Sequence, residues 1–193
     1  MGMRNAATIV TFLLFSFFLG GLTHDAKPER FDKWSRRLAR AGVTQEQVTQ
    51  LHFYFHDIVS GEHPTAVRVA QAANSDRSPT GFGMVVMADD PLTEGPDPNS
   101  RLVGRAQGLY GSAGQEELGL IMAMNYRFTD GKYNGSSFSL NGLNRALDPV
   151  REMAIVGGTG VFRLARGVAM AKTYSLNATT GDAIVEYNVT LVH

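Results

Sequence analysis

The sequence reads GGTGVFRLARG from Gly157 to Gly167. Runs rich in β-forming residues lie on both sides of these glycines, so the segment predicts a hairpin turn between two strands. A phosphate-binding loop would instead lead into a helix whose N-terminus faces the anion, and a strand pattern follows here. The segment therefore indicates an all-β architecture.

The same pattern extends over the rest of the chain. From Thr49 onward, short runs of valine, phenylalanine, tyrosine and methionine alternate with turns of glycine, proline and aspartate. Because the sequence predicts no helix of ordinary length between these runs, antiparallel order follows. About eight strands over residues 49–193 suit a small closed eight-stranded antiparallel β-barrel, which leaves no exposed sheet edge, and a β-sandwich is the alternative. The predicted strands are 49–59, 65–72, 81–89, 101–112, 117–129, 135–144, 150–156, 161–175 and 182–192.

Residues 1–23 have the pattern of a secretory signal peptide. Arg4 supplies the positive charge, and a short apolar run at 9–19 precedes small residues suited to cleavage. The run is shorter than the ~20 residues that cross a bilayer, so a retained membrane anchor is the less favoured alternative. We expect a secreted protein with a leader at 24–48, in which 31–41 is either a short amphipathic helix or a flexible segment, and one barrel domain at 49–193.

Composition limits the partners and the source of stability. Lys plus Arg and Asp plus Glu each number 18, so no overall charge selects a nucleic acid or an anionic membrane. The chain has no cysteine, and its stability must come from a packed core, sheet closure or oligomerisation. Secretion would make the sequons at Asn134, Asn177 and Asn188 candidate N-glycosylation sites.

Two charged residues fall on strand faces that are otherwise apolar. Period-two alternation places Asp57 on the same face as Phe53 and Phe55, and Arg166 on the same face as Phe162. In the last strand it places Val185, Tyr187 and Val189 inward and Asn188 outward. A buried unpaired charge is costly. The two charged residues therefore form a buried ion pair, with each other or with Glu152, or line a cavity, and both can hold together. An apolar cavity wall would raise the pKa of the carboxyl toward the range useful for acid–base catalysis.

Other polar residues have both a structural and a functional interpretation. Glu152 is either a solvated acid at a strand end or a second pocket acid, and Tyr110 and Tyr126 are either core residues or phenols that bind an aromatic substrate. His52 and His56 share a strand face about 13 Å apart, too far to bind one ion. We therefore expect no metal and no cofactor.

Four motifs in order make the sequence similar to the dirigent proteins of plants: Phe55-His56-Asp57-Ile58, Gly104–Gly108, Ile155–Gly160 and Ala165-Arg166-Gly167. The resemblance spans roughly Phe53 to the C-terminus. It implies an eight-stranded antiparallel barrel that is usually a homotrimer, is secreted to the apoplast and contains a pocket in each barrel.

The resemblance also implies site residues. Asp57 matches the pocket aspartate of the family's first strand, and Arg166 matches the arginine of its Ala-Arg-Gly motif. Glu152 stands where pinoresinol-forming members have an aspartate. This difference and the segments 53–57 and 89–96, which are more similar to the broader subfamily that contains pterocarpan synthases, weigh against lignan formation. We expect the substrate to contact Phe53, Tyr110, Tyr126 and Phe162.

Three functions follow from this resemblance. The first is stereoselective coupling of phenoxy radicals of phenylpropanoids, giving lignan-type products from coniferyl alcohol, with a separate laccase or peroxidase as the oxidase. The second is a pterocarpan synthase-like dehydration of an isoflavanol through a quinone methide, with Asp57 or Glu152 as acid and Arg166 stabilising a carboxylate or phenolate. The third is a non-catalytic defence or cell-wall barrel that binds a small ligand.

Overall fold

The segments with alternating apolar and polar residues form strands. The computed structural model describes Lys33, Arg36 and residues 46–193. Both Lys33 and Arg36 are helical. The expected signal peptide and the rest of the expected 31–41 helix lie outside the described residues. The described residues form nine strands: β1 (Val48–Asp57), β2 (Ala66–Ala70), β3 (Val85–Thr93), β4 (Leu102–Ser112), β5 (Gly119–Phe128), β6 (Ser137–Arg145), β7 (Arg151–Thr159), β8 (Arg166–Leu176) and β9 (Ala183–Val192).

Eight of these strands close into a barrel. Every neighbouring pair is antiparallel, in the order β1-β9-β8-β7-β6-β5-β4-β3. A second pairing of β1, with β3, closes the ring through Tyr54 opposite Thr93 and Phe55 opposite Leu92. Within the described chain, strand β2 pairs only with β3, beyond this closure. The predicted closed eight-stranded antiparallel barrel is therefore confirmed. Among the described residues, no helix is long and apolar enough to cross a membrane.

Inward-facing aromatic side chains fill one end of the barrel. The Phe53 ring stacks on Tyr187 with centroids 5.5 Å apart, and Tyr126 stacks on Phe138 at 4.7 Å. Phe162 closes this end, and all five side chains are at most 1 % exposed. We call these five residues the aromatic plug. Burial of this much aromatic surface makes the plug a main source of stability.

Side-chain alternation in β1 and β9 follows the sequence prediction. In β9, Val185, Tyr187 and Val189 face inward and are buried, whereas Asn188 is exposed on the outer wall. In β1, the buried Phe53 and Phe55 face inward, whereas His52 on the outer face is exposed and Tyr54 is half-buried; His56, also on the outer face, is buried. The prediction worked here because both strands run without interruption, so the period of two holds from end to end.

The glycine segment forms the predicted turn, but it changes the strand that follows. Gly160 has a φ of 62°, and a Cβ there would lie 2.5 Å from the Ser136 hydroxyl oxygen, so this position requires glycine. A 3₁₀ turn spans Gly160–Phe162, and Leu164 takes a left-handed φ of 63°. Strand β8 therefore begins only at Arg166. The predicted face with Phe162 and Arg166 together is wrong, because this irregular segment reverses the alternation.

Candidate functional site

The end of the barrel away from the aromatic plug is hollow. A cavity of ≈ 680 Å³ opens there, within the size range of sites that bind small organic ligands. Its wall is mainly apolar, and its polar groups fall into two clusters. Residues contributing to the wall include Phe55, Met84, Val86, Leu118, Leu120, Met122, Leu147, Leu176 and Val185.

One polar cluster is an acid at the end of β1. The Tyr110 hydroxyl donates a hydrogen bond to Asp57 Oδ2 at 3.0 Å, and both residues line the cavity. Burial raises the pKa of Asp57 to about 6; the Tyr110 hydrogen bond opposes this rise, and the charge of Asp182 adds to it. Burial and the adjacent Asp57 also raise the pKa of Tyr110, so its phenol remains a neutral donor. This acid can gain or lose a proton in mildly acidic solution.

The second polar cluster is built around Arg151 on β7, which is 4 % exposed and also lines the cavity. Its Nε donates to Asn144 Oδ1 at 3.1 Å, and its Nη1 donates to Thr173 Oγ1 at 3.0 Å. Among the described residues, no carboxylate forms an ion pair with Arg151. Burial lowers its pKa. A buried cation with only neutral partners is suited to binding an anionic or electron-rich oxygen of a ligand.

A buried tyrosine is in electrostatic contact with both clusters. Tyr187 lines the cavity and also belongs to the aromatic plug, so it lies at the floor of the hollow end. Burial raises its pKa, the charge of Arg151 opposes that rise, and the charge of Asp57 adds to it. The acid and the cation therefore act on the same interior space.

Among the predicted catalytic residues, the structure places only Asp57 in this cavity. Arg166 is exposed on the outside, where its Nη2 lies 2.7 Å from Glu46 Oε1. Glu152 is exposed on the outer wall, opposite Met170 of β8. The expectation that Arg166 lies in the lumen is wrong because the turn before β8 reverses the strand's faces. Glu152 faces outward because its neighbour Arg151 takes the inward position.

The predicted substrate contacts also separate into two groups. Tyr110 lines the cavity. Phe53, Tyr126 and Phe162 belong to the aromatic plug and do not line it. They are buried as expected, but the Phe53 and Tyr126 rings pack against each other, and the Phe162 ring packs against Phe128 and Tyr133. Burial raises the pKa of Tyr126 well above its usual value.

Two interior residues were missed by the sequence analysis. Arg151 lies two and four residues before the buried Met153 and Ile155, so the period-two alternation of β7 predicts that it faces inward. Asp90 is 0 % exposed, and it shares the inward face of β3 with Ala88 and Leu92. The predicted strand 81–89 ends one residue before Asp90, and Arg151 directly precedes Glu152, the acid that the family resemblance indicates.

The predicted glycan acceptors lie on the surface, and the described residues form no metal site. In the part of the chain that the structure describes, no group of three or more His, Asp or Glu side chains is arranged to hold a metal ion. Asn134, Asn177 and Asn188 are all exposed. Asn177 begins the β8–β9 turn whose Thr180 and Gly181 line the cavity, so it lies at the mouth.

The fold is therefore a small closed β-barrel, filled by side chains at one end and hollow at the other, with an acid and a cation in a cavity whose size suits a small organic molecule. The chain matches the family model described as dirigent-like protein over residues 48–192, and it belongs to this family.

The chain is similar to two kinds of dirigent protein. It is 56% identical to dirigent protein 23 of Arabidopsis thaliana over 87% of this chain and 89% of the relative. It is 54% identical to pterocarpan synthase 1 of Glycine max over 79% of this chain and 82% of the relative. A solved structure of a pterocarpan synthase dirigent protein superposes with a TM-score of 0.75 at 54% identity, covering 79% of this chain and 93% of the other.

Proposed function

We propose that this dirigent protein binds a phenolic small molecule and dehydrates it stereoselectively through a quinone methide, as a pterocarpan synthase-like isoflavanol dehydratase. The single observation that carries the proposal is the hydrogen-bonded pair of the half-buried Asp57 and the buried Tyr110 in the mainly apolar cavity. A carboxyl whose pKa is raised to about 6 is protonated in mildly acidic solution and is then a general acid. Similarity to pterocarpan synthases supports the same chemistry.

The reaction balances without an oxidant. Protonated Asp57 gives its proton to the carbinol hydroxyl of the substrate, the C–O bond breaks with its electron pair, and water leaves. The phenol conjugated to that carbon loses its proton, which returns to Asp57, and a neutral quinone methide forms. The oxygen of a second phenol in the same molecule then bonds to the carbon, and its proton passes to the oxygen of the first phenol. The net change is loss of one water.

Each polar cluster has a role in this scheme. Tyr110 holds the Asp57 carboxyl in place through its hydrogen bond. Arg151, which has no carboxylate partner among the described residues, stabilises the negative charge that develops on the phenol oxygen as the water leaves. The apolar wall excludes bulk water, so the quinone methide is trapped by the internal phenol from one face.

The test is an oxidase-free assay of an isoflavanol with a free second phenol, followed by chiral chromatography. Asp57→Asn removes the acid and should lower turnover at least a hundredfold, in line with general acid catalysis. Glu152→Gln and Arg166→Gln are matched controls on the outer wall and should leave rate and product handedness unchanged. Loss of activity in either control, or full activity in Asp57→Asn, would refute the site assignment.

A second candidate is stereoselective coupling of phenoxy radicals from coniferyl alcohol into lignan-type products, made by a separate laccase or peroxidase. It is favoured by the mainly apolar cavity of ≈ 680 Å³, a volume suited to holding two single-ring phenols in contact. Coniferyl alcohol plus laccase, with and without the protein, tests it through the enantiomeric excess of the dimers. Ligand binding without either turnover or enantiomeric excess would leave the non-catalytic binding barrel.

We also propose a homo-oligomer, a trimer, built on the outer wall of β2–β6. Exposed apolar side chains there are neighbours across the sheet: Val67 is opposite Met87, Met87 is opposite Leu109, and Ile121 is opposite Leu143. A contiguous apolar patch of this kind is unusual on a monomer. Light scattering of the purified protein measures the mass, and Ile121→Lys should yield a folded monomer.

Secretion and glycosylation belong to the same proposal. The signal peptide pattern at 1–23 and the exposure of all three sequon asparagines support a secreted glycoprotein of the apoplast. Expression with the native leader in plant cells, followed by peptide mapping, measures export and the occupancy of Asn134, Asn177 and Asn188. Retention inside the cell would contradict this part of the proposal.

A further inference from the structure

Asp90 is a second interior carboxyl that the proposed reaction does not use. It is 0 % exposed on the inward face of β3. The Thr65 hydroxyl donates to its Oδ1 at 2.5 Å, whereas its Oδ2 has no hydrogen-bond partner among the described residues. The neighbouring Arg105 guanidinium bonds to Asp89 instead. A carboxylate with one hydrogen bond and no ion pair is costly to bury, so this site favours a neutral carboxylic acid.

Asp90 lies beside Asp57 because of the way the barrel closes. The β1–β3 pairing includes Phe55 opposite Leu92. Because the strands are antiparallel, Asp57, two residues after Phe55, comes near Asp90, two residues before Leu92. Both lie on the same inward face as that pair. Both carboxyls are therefore at the seam where β1 and β3 separate. Burial first, and then the charge of Asp57, raise the pKa of Asp90 to about 8.

We propose that Asp90 is a positioning residue and the neutral partner of Asp57: it keeps its proton while Asp57 exchanges one with the ligand. The two carboxyls then act as one unit that carries a single negative charge when Asp57 is ionised. The catalytic consequence rests on the proposed dehydration; the pairing itself does not. Ionised Asp90 would place two like charges at the seam, which would hold a proton on Asp57 and oppose its release.

Other groups around Asp90 are compatible with this assignment. Three tyrosines interact with the Asp90 charge: Tyr110 of β4, Tyr126 of β5 and Tyr187 of β9. Burial raises the pKa of each above its usual value of 10.0, so none of them ionises in the neutral range. Arg105 lowers the pKa of Asp90 and Asp89 raises it, both by less than burial does. Asp57 is thus the titrating neighbour of Asp90 in the neutral range.

The experiment is an NMR titration of the carboxyl carbons in full-length protein labelled with carbon-13 aspartate. We expect two interior transitions, near 6 and near 8, of which Asp90→Asn removes the upper one and leaves the lower one. Asp57→Asn should move the upper transition to lower pH because the like charge is gone. Asp89→Asn, the exposed neighbour, is the matched control: it should lower the upper transition by less than Asp57→Asn does, because the Asp89 charge contributes less than the Asp57 charge, and it should leave the lower transition in place.

Some outcomes would overturn the pairing. These are an Asp90 transition near the usual value of 3.8 in the wild type, or an upper transition that Asp57→Asn leaves in place. The wild type and Asp57→Asn decide the question even where Asp90→Asn folds poorly. The isoflavanol assay separates the two proposals. Two coupled transitions without turnover would refute the proposed dehydration and leave the pairing of Asp57 and Asp90 standing. Turnover in a protein without coupled transitions would sink the role of Asp90 alone.

Discussion

Replacing Asp90 by asparagine should stabilise the protein, and more so as the pH rises. The unfolded chain releases this proton near 3.8, whereas burial and the charge of Asp57 raise the pKa in the folded protein to about 8. Between these values the folded state binds more protons than the unfolded state. Its free energy of unfolding therefore falls as the pH rises, by about 1.4 kcal/mol per pH unit.

The size of the effect follows from the same two values. From about pH 5 to about pH 8, ionisation of the unfolded chain should cost the wild type about 3 to 4 kcal/mol through Asp90 alone. The amide that replaces the carboxyl cannot ionise, has nearly the same shape, and can still accept the hydrogen bond from Thr65. The advantage of Asp90→Asn over wild type should therefore be about 1 to 2 kcal/mol at about pH 5 and should grow by a further 3 to 4 kcal/mol at about pH 8.

Urea unfolding followed by circular dichroism at a series of pH values measures this difference. Burial also lowers the pKa of His56, which makes stability rise with pH, but His56 is present in both proteins and cancels in the comparison. Asp89→Asn is the exposed control; because Asp89 contributes least to the raised pKa of Asp90, its curve should stay much closer to the wild type than that of Asp90→Asn. Parallel curves for Asp90→Asn and wild type over the whole range would refute the reasoning.

Four further expectations follow from the site and the turn. Tyr110→Phe removes a hydrogen bond that favours ionised Asp57, so the Asp57 transition should move to higher pH in the same NMR titration; no movement would mean that the bond does not tune the acid. Arg151→Met should weaken binding of a phenolic ligand roughly tenfold or more in calorimetry, as expected for loss of a charged hydrogen bond, and unchanged affinity would exclude it from the site. Leu164→Gly relieves a left-handed φ and should raise the free energy of unfolding by up to about 1 kcal/mol. Gly158→Ala forces a Cβ against the Phe162 carbonyl oxygen and should lower the free energy of unfolding by about 1 to 3 kcal/mol. A melting curve equal to that of the wild type would contradict the estimate for that variant.

Most of the barrel could be predicted from the sequence because its strands obey a simple period. Alternation placed Asp57 inward on β1 and Asn188 outward on β9, and the turn residues separated the strands. The glycine segment also gave the hairpin between β7 and β8. These features depend on local backbone geometry, which neighbouring residues determine.

The candidate site was only partly predictable, for two physical reasons. The face of Arg166 depends on the left-handed Leu164 and the 3₁₀ turn before it, and a period of two cannot be counted through such a turn. Which inward residues surround empty space is a property of the whole barrel. Phe53 and Tyr110 both face inward, yet one is packed in the plug and the other lines the cavity.

The aromatic plug has a consequence for substrate selection. Because Tyr187, whose ring stacks on Phe53, lies at the floor of the cavity, the plug closes that end of the barrel, and a ligand would enter and leave at the opposite end. Groups attached to the deep end of a substrate should be rejected, while extensions toward the rim should be tolerated. A glycan on Asn177 would lie at the mouth of the cavity, so the size of ligand that can enter would depend on whether Asn177 is glycosylated.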